Sequence, residues 1–270
     1  MSDSSLEAGP IGLFDSGVGG GTVLAELRRL LPAEDLLFLA DQAHCPYGPR
    51  TPEEVRELSA RCTRWLLGRG AKLVVVACNT ASAAALHWLR ATFPETPFVG
   101  MVPAVKPAVR ETRSGVVGVL ATPGTVNGGL LRDVVAQWAG GAQVLAQPCP
   151  GLAEQVEAGA LDDPRTDALL ESYIAPLTGA GADTLVLGCT HYPYLLPRIR
   201  RIAGPGVTVI DAAPAVAAQA GRVLGQRGLL HPTAARQGGV YYATTGDPAH
   251  LALLIERLGL PPGSVERAAV

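Results

Sequence analysis

The chain has 270 residues, of which 48% are hydrophobic and 17% are charged, a composition typical of globular proteins with a substantial core. A formal net charge of −2, without any basic run, argues against nucleic acid or an anionic membrane surface as a partner. The longest apolar runs cover about five to seven residues, well short of the roughly 20 that a membrane-spanning helix needs.

Short aliphatic runs and helical patterns alternate along the chain. Strands are predicted at residues 11–14, 36–40, 73–77, 116–121, 144–145, 184–187, 207–210 and 240–243. Helices are predicted at about residues 22–31, 51–66, 80–93, 126–139, 151–159, 165–177, 212–224 and 248–258. Because strands alternate with helices, the predicted fold class is α/β with mostly parallel sheets.

One helix start has a specific signature. The segment Thr51-Pro52-Glu53-Glu54 offers a hydroxyl cap, a proline in the first turn and a carboxylate three residues after the cap. Cys62 then falls on the buried face of this helix, together with Val55 and Leu58. We therefore expect Cys62 to be a core residue.

The five cysteines (Cys45, Cys62, Cys78, Cys149 and Cys189) are odd in number and include no CxxC pair. The segment from Met1 to Pro10 is polar and acidic, lacks the pattern of a signal peptide and predicts a frayed tail. Free thiols in a reducing, cytoplasmic compartment are therefore expected. Cys45 and Cys149 lie beside prolines in predicted loops and are interpreted as structural or incidental.

An internal repeat brings two of the thiols together. One strand ends before Asp15 and a later strand before Cys78; further along, one strand ends before Thr122 and a later one before Cys189. This repeat predicts two similar α/β lobes. Open α/β sheets bind ligands at the carboxyl ends of their strands. Two lobes that face each other through those ends would place one thiol on each wall of a cleft.

The residues around the two thiols suggest acid/base chemistry. A single buried cysteine at a strand end is more often a small hydrophobic residue, but two in matching contexts favour function. Each precedes a predicted helical segment, and a helix N-terminus favours the thiolate. His191, two residues after Cys189, is a candidate base or ion-pair partner, with a core histidine as the alternative.

The glycine-rich turn after Asp15 admits two interpretations. Asp15 either caps a helix or provides a polar group in the cleft. The turn resembles a phosphate loop, but Thr22 occupies the third glycine position of GxGxxG and no Walker lysine follows, so dinucleotide binding is rejected. The amides of this turn are still expected to be able to receive a small carboxylate.

Neither a metal nor a cofactor is predicted. A site built from Cys78, Cys189 and His191 lacks a fourth ligand and metal-type spacing. Pyridoxal phosphate would require a Schiff-base lysine, and the chain contains only Lys72 and Lys106, neither in a persuasive context.

Four segments occur in order along the chain: Phe14-Asp15-Ser16-Gly17-Val18-Gly19-Gly20, Pro46-Tyr47-Gly48, Ala77-Cys78-Asn79-Thr80 and Gly188-Cys189-Thr190-His191-Tyr192-Pro193. As a set, over about residues 11–211, they resemble the glutamate racemases of the cofactor-independent aspartate/glutamate racemase superfamily. The resemblance implies two α/β lobes related by a pseudo-two-fold axis, with the active site between them. The first lobe would comprise residues 1–100 and 211–270, and the second residues 101–210.

The resemblance also implies an activity: interconversion of L-glutamate and D-glutamate, supplying D-glutamate for peptidoglycan and hence for cell-wall biogenesis and cell shape. By this likeness Cys78 and Cys189 are the catalytic acid/base pair. Asp15 would assist Cys78, and Glu157 and His191 would assist Cys189. The implied substrate-binding residues are Asp15, Ser16, Tyr47, Gly48, Asn79, Thr80, Thr122, Thr125, Thr190 and His191. A homodimer is left open.

Racemisation removes a proton from one face of Cα and returns one to the opposite face. Two groups of like chemistry on opposite walls, one thiolate and one thiol, achieve this without moving a single base around the substrate. Related racemases acting on aspartate, hydantoin or an arylmalonate remain alternatives, although the last works with one cysteine. A non-enzymatic small-acid binding protein is a further alternative, but it would not need two matched thiols.

Overall fold

The structure is a computed structural model that describes residues 9–233 and 235–270. The predicted frayed tail, Met1 to Pro10, lies outside the described residues except for its last two positions. The strands are β1 (Ile11–Asp15), β2 (Leu36–Ala40), β3 (Leu73–Val76), β4 (Phe98–Gly100), β5 (Val116–Ala121), β6 (Gln143–Pro148), β7 (Thr184–Gly188), β8 (Thr208–Asp211), β9 (Val240–Thr244) and β10 (Ser264–Arg267).

Helices connect most of these strands. They are α1 (Gly21–Leu30), α2 (Pro52–Gly68), α3 (Asn79–Thr92), α4 (Val105–Glu111), α5 (Pro123–Asn127), α6 (Gly129–Trp138), α7 (Leu152–Glu157), α8 (Pro164–Gly179), α9 (Leu196–Ala203), α10 (Ala213–Arg227) and α11 (Pro248–Arg257). Short 3₁₀ segments occur at Val18–Gly20, Gln42–His44 and Tyr192–Leu195. None of the helices in the described residues is long and apolar enough to cross a membrane.

Two sheets organise the fold. The first has the strand order β10-β9-β2-β1-β3-β4 and the second the order β6-β5-β7-β8. Every strand pair in both sheets is parallel, which confirms the predicted α/β class with two lobes. The first sheet combines strands from both ends of the chain, while the second uses one continuous stretch. The domain boundaries at residues 100 and 211 stay a prediction.

The inner strands form where the sequence is continuously apolar. Every residue of β1, β2, β3 and β7 is buried, as expected for strands covered by helices on both faces. The register then aligns the strand ends. Phe14 of β1 lies opposite Val76 of β3, and Gly188 of β7 lies opposite Ala121 of β5. The residues that follow these strands are therefore brought to one edge of each sheet.

Several elements differ from the prediction. The structure adds β4, β10, α4 and α9, and β6 extends beyond residues 144–145. The helix expected over residues 126–139 is interrupted at Gly128, which lies in an extended conformation between α5 and α6. The edge strand β10 is mostly exposed and β4 has only three residues, so neither has the long apolar run that reveals an inner strand.

The start of α2 confirms the predicted cap. The Thr51 hydroxyl accepts a hydrogen bond from the Glu54 amide at 3.2 Å, and the Glu54 carboxylate accepts one from the Thr51 amide at 2.8 Å. These reciprocal bonds form a capping box that satisfies two amides of the helix end. Cys62 is fully buried on the inner face of α2, as predicted.

We expect Thr51→Ala to lower the free energy of unfolding by about 1 kcal/mol, because one capped amide loses its partner. Urea unfolding followed by circular dichroism measures this change. Ser172→Ala, which removes an exposed hydroxyl from the interior of α8, is the control and should change the free energy by less than about 0.5 kcal/mol. Equal effects of the two substitutions would contradict a stabilising role for the cap.

Candidate active site

The polar groups predicted at strand ends meet around one small cavity between the two sheets. The cavity has a volume of about 270 Å³. Its lining comprises Ser16, Pro46, Tyr47, Gly48, Cys78, Asn79, Thr80, Thr122, Ala153, Cys189, Thr190 and His191. Both thiols therefore face the same space, one from each sheet.

Cys78 occupies the wall formed by the first sheet. It is the N-cap of α3, and its Sγ accepts a hydrogen bond from the Ala81 amide at 3.4 Å. Burial raises the pKa of the Cys78 thiol well above its ordinary value, and the neighbouring Asp15 carboxylate raises it further. In this environment Cys78 is held as the neutral thiol.

Asp15 is fully buried at the end of β1. It accepts hydrogen bonds from the Ser16 amide at 2.6 Å and from the Thr190 hydroxyl, which comes from the second sheet, at 2.9 Å. Burial raises the pKa of the Asp15 carboxyl, although the charge of His191 and the Thr190 bond act in the opposite direction. Asp15 is not a helix cap, because the helical turn that follows is not capped by any side chain. It lies behind Ser16 and Thr190, outside the cavity lining, and its contact with a substrate stays a prediction.

Cys189 directly follows β7, and His191 lies beside it. The two are joined by a contact of 3.7 Å between Cys189 Sγ and His191 Nδ1, and the other ring nitrogen lies 2.6 Å from Glu157 Oε1. Burial disfavours the charged imidazole, but the hydrogen bonds and charges of Cys189 and Glu157 raise the pKa of His191 well above its ordinary value. A cation at His191 stabilises negative charge on the Cys189 sulfur.

Glu157, at the end of α7, is the group that holds His191 charged. Its carboxylate also accepts hydrogen bonds from the Val18 amide at 2.6 Å and from Gln42 Nε2 at 2.9 Å. Burial opposes the charge on Glu157, yet these partners and His191 together keep its pKa below the ordinary value. One amide of the glycine-rich turn is thus already bound to a carboxylate of the protein, and binding of a substrate carboxylate by this turn stays a prediction.

The glycines of this turn are required by close packing. A Cβ at Gly17 would lie 1.9 Å from Glu157 Oε1, and a Cβ at Gly19 would lie 2.5 Å from His191 Nδ1. Real side chains do not approach so closely, so any substitution here displaces the Glu157 and His191 side chains. The turn therefore serves as a surface against which the second lobe places its ionisable groups.

Thr80, Thr122 and Thr125 connect the two walls. The hydroxyls of Thr80 and Thr122 are 2.8 Å apart, and those of Thr122 and Thr125 are 3.0 Å apart. Thr122 also caps α5. Thr80 and Thr122 line the cavity, whereas Thr125 lies behind Thr122 and does not belong to the lining. Its predicted direct contact with a substrate stays a prediction.

Tyr47 and Asn79 complete the first wall. Tyr47 is buried, and its hydroxyl donates a hydrogen bond to Asp41 Oδ2. Asn79 is also buried, and among the residues the structure describes neither its amide oxygen nor its amide nitrogen has a hydrogen-bond partner. A buried polar group without a partner costs about 1–3 kcal/mol, so the Asn79 amide is suited to a polar ligand in the cavity.

Several site residues have no sequence signal. The Gln42 side chain donates to Glu157 and accepts a hydrogen bond from Thr244 Oγ1 at 2.9 Å, and His250 Nε2 lies 3.0 Å from the Glu157 carbonyl oxygen. Gln42 and His250, which contact Glu157, lie 115 and 93 positions away from it in sequence. No local pattern connects groups that are so far apart in sequence.

The remaining cysteines and the lysines have distinct environments. Cys45 precedes a cis-proline, and its Sγ lies within 4.8 Å of ligand atoms of Glu157 and His191. Its interpretation as structural or incidental stays a prediction. Cys149 is buried outside the lining, and burial raises its pKa to about 12. Lys72 Nζ lies 2.6 Å from the Glu34 carboxylate, and Lys106 stacks on Trp138 at 3.5 Å from the ring centroid.

Known proteins share this arrangement. The Asp/Glu/hydantoin racemase family model matches residues 21–220. The chain is 61% identical to a glutamate racemase from Roseiflexus sp. (strain RS-1), with 100% of this chain and 98% of that protein aligned.

Solved structures agree. The structure matches glutamate racemase from Bacillus anthracis with a TM-score of 0.87 and 33% identity, covering 98% of each chain. It matches Escherichia coli glutamate racemase, solved in complex with L-glutamate and the activator UDP-MurNAc-ala, with a TM-score of 0.84 and 31% identity over 97% of this chain and 98% of that one. The chain therefore belongs to the Asp/Glu/hydantoin racemase family and, within that family of isomerases, to the glutamate racemases.

Proposed function

We propose that the protein interconverts L-glutamate and D-glutamate by two-base proton transfer at Cα, with Cys78 and Cys189 as the two bases. The observation that carries this proposal is that both thiols face one small cavity from opposite lobes. Each thiol has its own ionisable partners, Asp15 for Cys78 and the His191–Glu157 pair for Cys189.

The reaction balances with these two groups alone. The sulfur that begins as thiolate takes the proton from Cα, and the electron pair of the broken bond passes into the α-carboxylate. The thiol on the opposite wall then donates its proton to the other face of Cα. After one turnover the two sulfurs have exchanged protonation states, and reaction in the reverse direction restores them.

The environments of the two thiols favour one such state. Cys78 is held as the thiol by burial and by the Asp15 carboxylate, while the His191 cation stabilises negative charge on Cys189. The reaction is therefore proposed to start with Cys78 as the acid. Cys78 then holds the one proton that the two thiols share.

The carbanion-like charge needs hydrogen-bond donors at the α-carboxylate. The unpartnered amide of Asn79 lies in the cavity lining and fits this role, whereas the hydroxyls of Thr80 and Thr190 are already paired with Thr122 and Asp15. Ser16, Tyr47, Gly48 and Thr122 shape the remaining wall. Because such donors are fixed before the reaction, stabilising the charge requires little reorganisation.

The substrate assignment draws on relatives and on size. The Escherichia coli relative was solved with L-glutamate, and a small cavity suits a small amino acid. Aspartate is the competing substrate of the same family. A supply of D-glutamate for peptidoglycan, a cytoplasmic location and assembly as a homodimer belong to the same proposal.

Cys78→Ala and Cys189→Ala should each abolish racemisation in both directions while glutamate binding is retained, because each removes one of the two proton-transfer groups. Polarimetry with L-glutamate and with D-glutamate measures turnover without added cofactor, and calorimetry measures binding. The control is Cys62→Ala, which removes a buried thiol that lies behind Tyr47, outside the cavity lining. Normal racemisation by either active-site variant would refute the two-base mechanism.

Deuterated water tests the proton transfer directly. Product formed from L-glutamate should carry solvent deuterium at Cα, because the donating thiol exchanges with solvent between turnovers. Product without deuterium would exclude a solvent-exchanged thiol as the donor. Activity on aspartate but not on glutamate would instead change the substrate and leave the mechanism intact.

Glu157→Gln should move the alkaline limb of the kcat/KM profile to lower pH by about one unit. His191 is charged below its raised pKa and loses its charge as the pH rises through that pKa. Loss of the Glu157 charge lowers the pKa of His191, so the charge disappears at lower pH. Glu154→Gln, which neutralises an exposed carboxylate on the same helix, is the control. If the alkaline limb of the kcat/KM profile does not move in Glu157→Gln, the His191–Glu157 pair takes no part in the mechanism.

Gly17→Ala should lower kcat/KM by about 100-fold, because the added methyl group displaces the Glu157 carboxylate from His191. Gly68→Ala is the matched control, since a Cβ there meets no atom of the described residues within 4 Å. Steady-state kinetics of the two variants, with unfolding curves to confirm folding, makes the comparison. Similar activities would show that the close packing at Gly17 is not needed for turnover.

A further inference from the structure

A third thiol takes part in a cluster at the edge of the cavity. The Sγ of Cys45, a carboxylate oxygen of Glu157 and a ring nitrogen of His191 all lie within 4.8 Å of one another. Cys45 and Glu157 are partly exposed, whereas His191 is buried. The proposed racemisation uses Glu157 and His191 but assigns no role to Cys45.

The three donors converge on the backbone of the glycine-rich turn. A Cβ at Gly17 would lie 1.9 Å from Glu157 Oε1 and 3.0 Å from Cys45 Sγ, and one at Gly19 would lie 2.5 Å from His191 Nδ1. The three side chains come from three separate segments: the loop after β2, the end of α7 and the loop after β7. The three side chains lie together against the glycine backbone of the turn.

We propose that Cys45, Glu157 and His191 bind Zn²⁺, and that the zinc-bound protein is inactive. A thiolate, an imidazole and a carboxylate are the ligand types that zinc takes, with bonds of about 2.0–2.3 Å and a fourth position for water. Donors within 4.8 Å of one another reach a tetrahedral arrangement through small side-chain movements. The inhibitory part rests on the proposed racemisation, whereas zinc binding does not.

Charge balance favours the binding of Zn²⁺ to this cluster. Without metal, the cluster holds a Cys45 thiol, a Glu157 carboxylate and a His191 cation, and its net charge is zero. With Zn²⁺, it holds a thiolate, a carboxylate and a neutral imidazole, and the net charge is again zero. A neutral cluster avoids the cost of leaving an uncompensated charge in a mostly buried place.

Zinc would disable the site by occupying the group that stabilises charge on Cys189. Metal at Nε2 of His191 breaks the 2.6 Å contact with Glu157 and prevents the imidazole from carrying the second proton. It also draws Glu157 away from the Val18 amide. The ion would enter from the partly exposed side, at Cys45 and Glu157, without passing the catalytic thiols.

Cobalt and zinc titrations of the purified full-length protein test the binding. Co²⁺ should produce thiolate-to-cobalt charge-transfer absorption in the wild type, saturating at one ion per chain and removed by Zn²⁺. Cys45→Ser should lose this absorption and bind Zn²⁺ about tenfold or more weakly in competition with a chromophoric chelator. Cys149→Ser, which removes a thiol outside the cluster, should behave as the wild type. Circular dichroism confirms that each variant is folded.

Absorption that persists in Cys45→Ser but disappears in Cys78→Ser or Cys189→Ser would overturn the proposal, because the metal would then be held by the catalytic thiols. Absence of any zinc binding to the wild type would overturn it as well.

Racemisation of L-glutamate provides a second measurement. Zn²⁺ should inhibit the wild type, a chelator should restore it, and Cys45→Ser should need about tenfold or more zinc for the same fractional inhibition. Binding without inhibition would refute the inhibitory role. If the metal-free protein does not racemise glutamate, the proposed function fails, while the cobalt titration still decides whether the metal site exists.

Discussion

The site depends on the hydrogen bonds of the Glu157 carboxylate. It lies between β6 and β7 in sequence, so it belongs to the second lobe, yet two of its hydrogen-bond donors, the Val18 amide and Gln42, belong to the first. Its remaining partner, His191, sets the charge beside Cys189. The charges beside Cys189 therefore depend on the hydrogen bonds that Glu157 accepts from the first lobe.

Asp15 makes the reciprocal contact. It ends a strand of the first sheet, raises the pKa of Cys78 and accepts a hydrogen bond from Thr190 of the second sheet. Buried carboxylates require hydrogen-bond partners, and here one of those partners, Thr190, comes from across the cleft. Separation of the lobes would break the Asp15–Thr190 contact and the contacts of Glu157 with the first lobe.

The sequence predicts the parts of this fold that depend on local pattern. Continuous apolar runs mark β1, β3, β5 and β7, and the structure places Asp15, Cys78, Thr122 and Cys189 at or just after their carboxyl ends. The short strand β4 and the exposed strand β10 carry no such pattern. The interruption at Gly128 is also hidden, because residues on both sides of it remain compatible with a helix.

Local sequence pattern likewise predicts only part of the site. The Cys78 and Cys189 pair comes from a repeat in the sequence, whereas Glu157 was indicated only by resemblance to a family. Gln42 and Thr244 carry no local signal, because their hydrogen bonds join distant segments of the chain. Periodicity describes neighbours along the chain and contains no information about which loops meet.

The order of the strands along the chain also affects how the protein forms during synthesis. All four strands of the second sheet lie between residues 116 and 211, so this sheet is complete once that stretch has left the ribosome. The first sheet must wait for β9 and β10, and Thr244 of β9 is the partner of Gln42. Lobes generally fold as units during synthesis. A chain that stops before β9 would therefore contain both cysteines but lack the Thr244 hydrogen bond to Gln42.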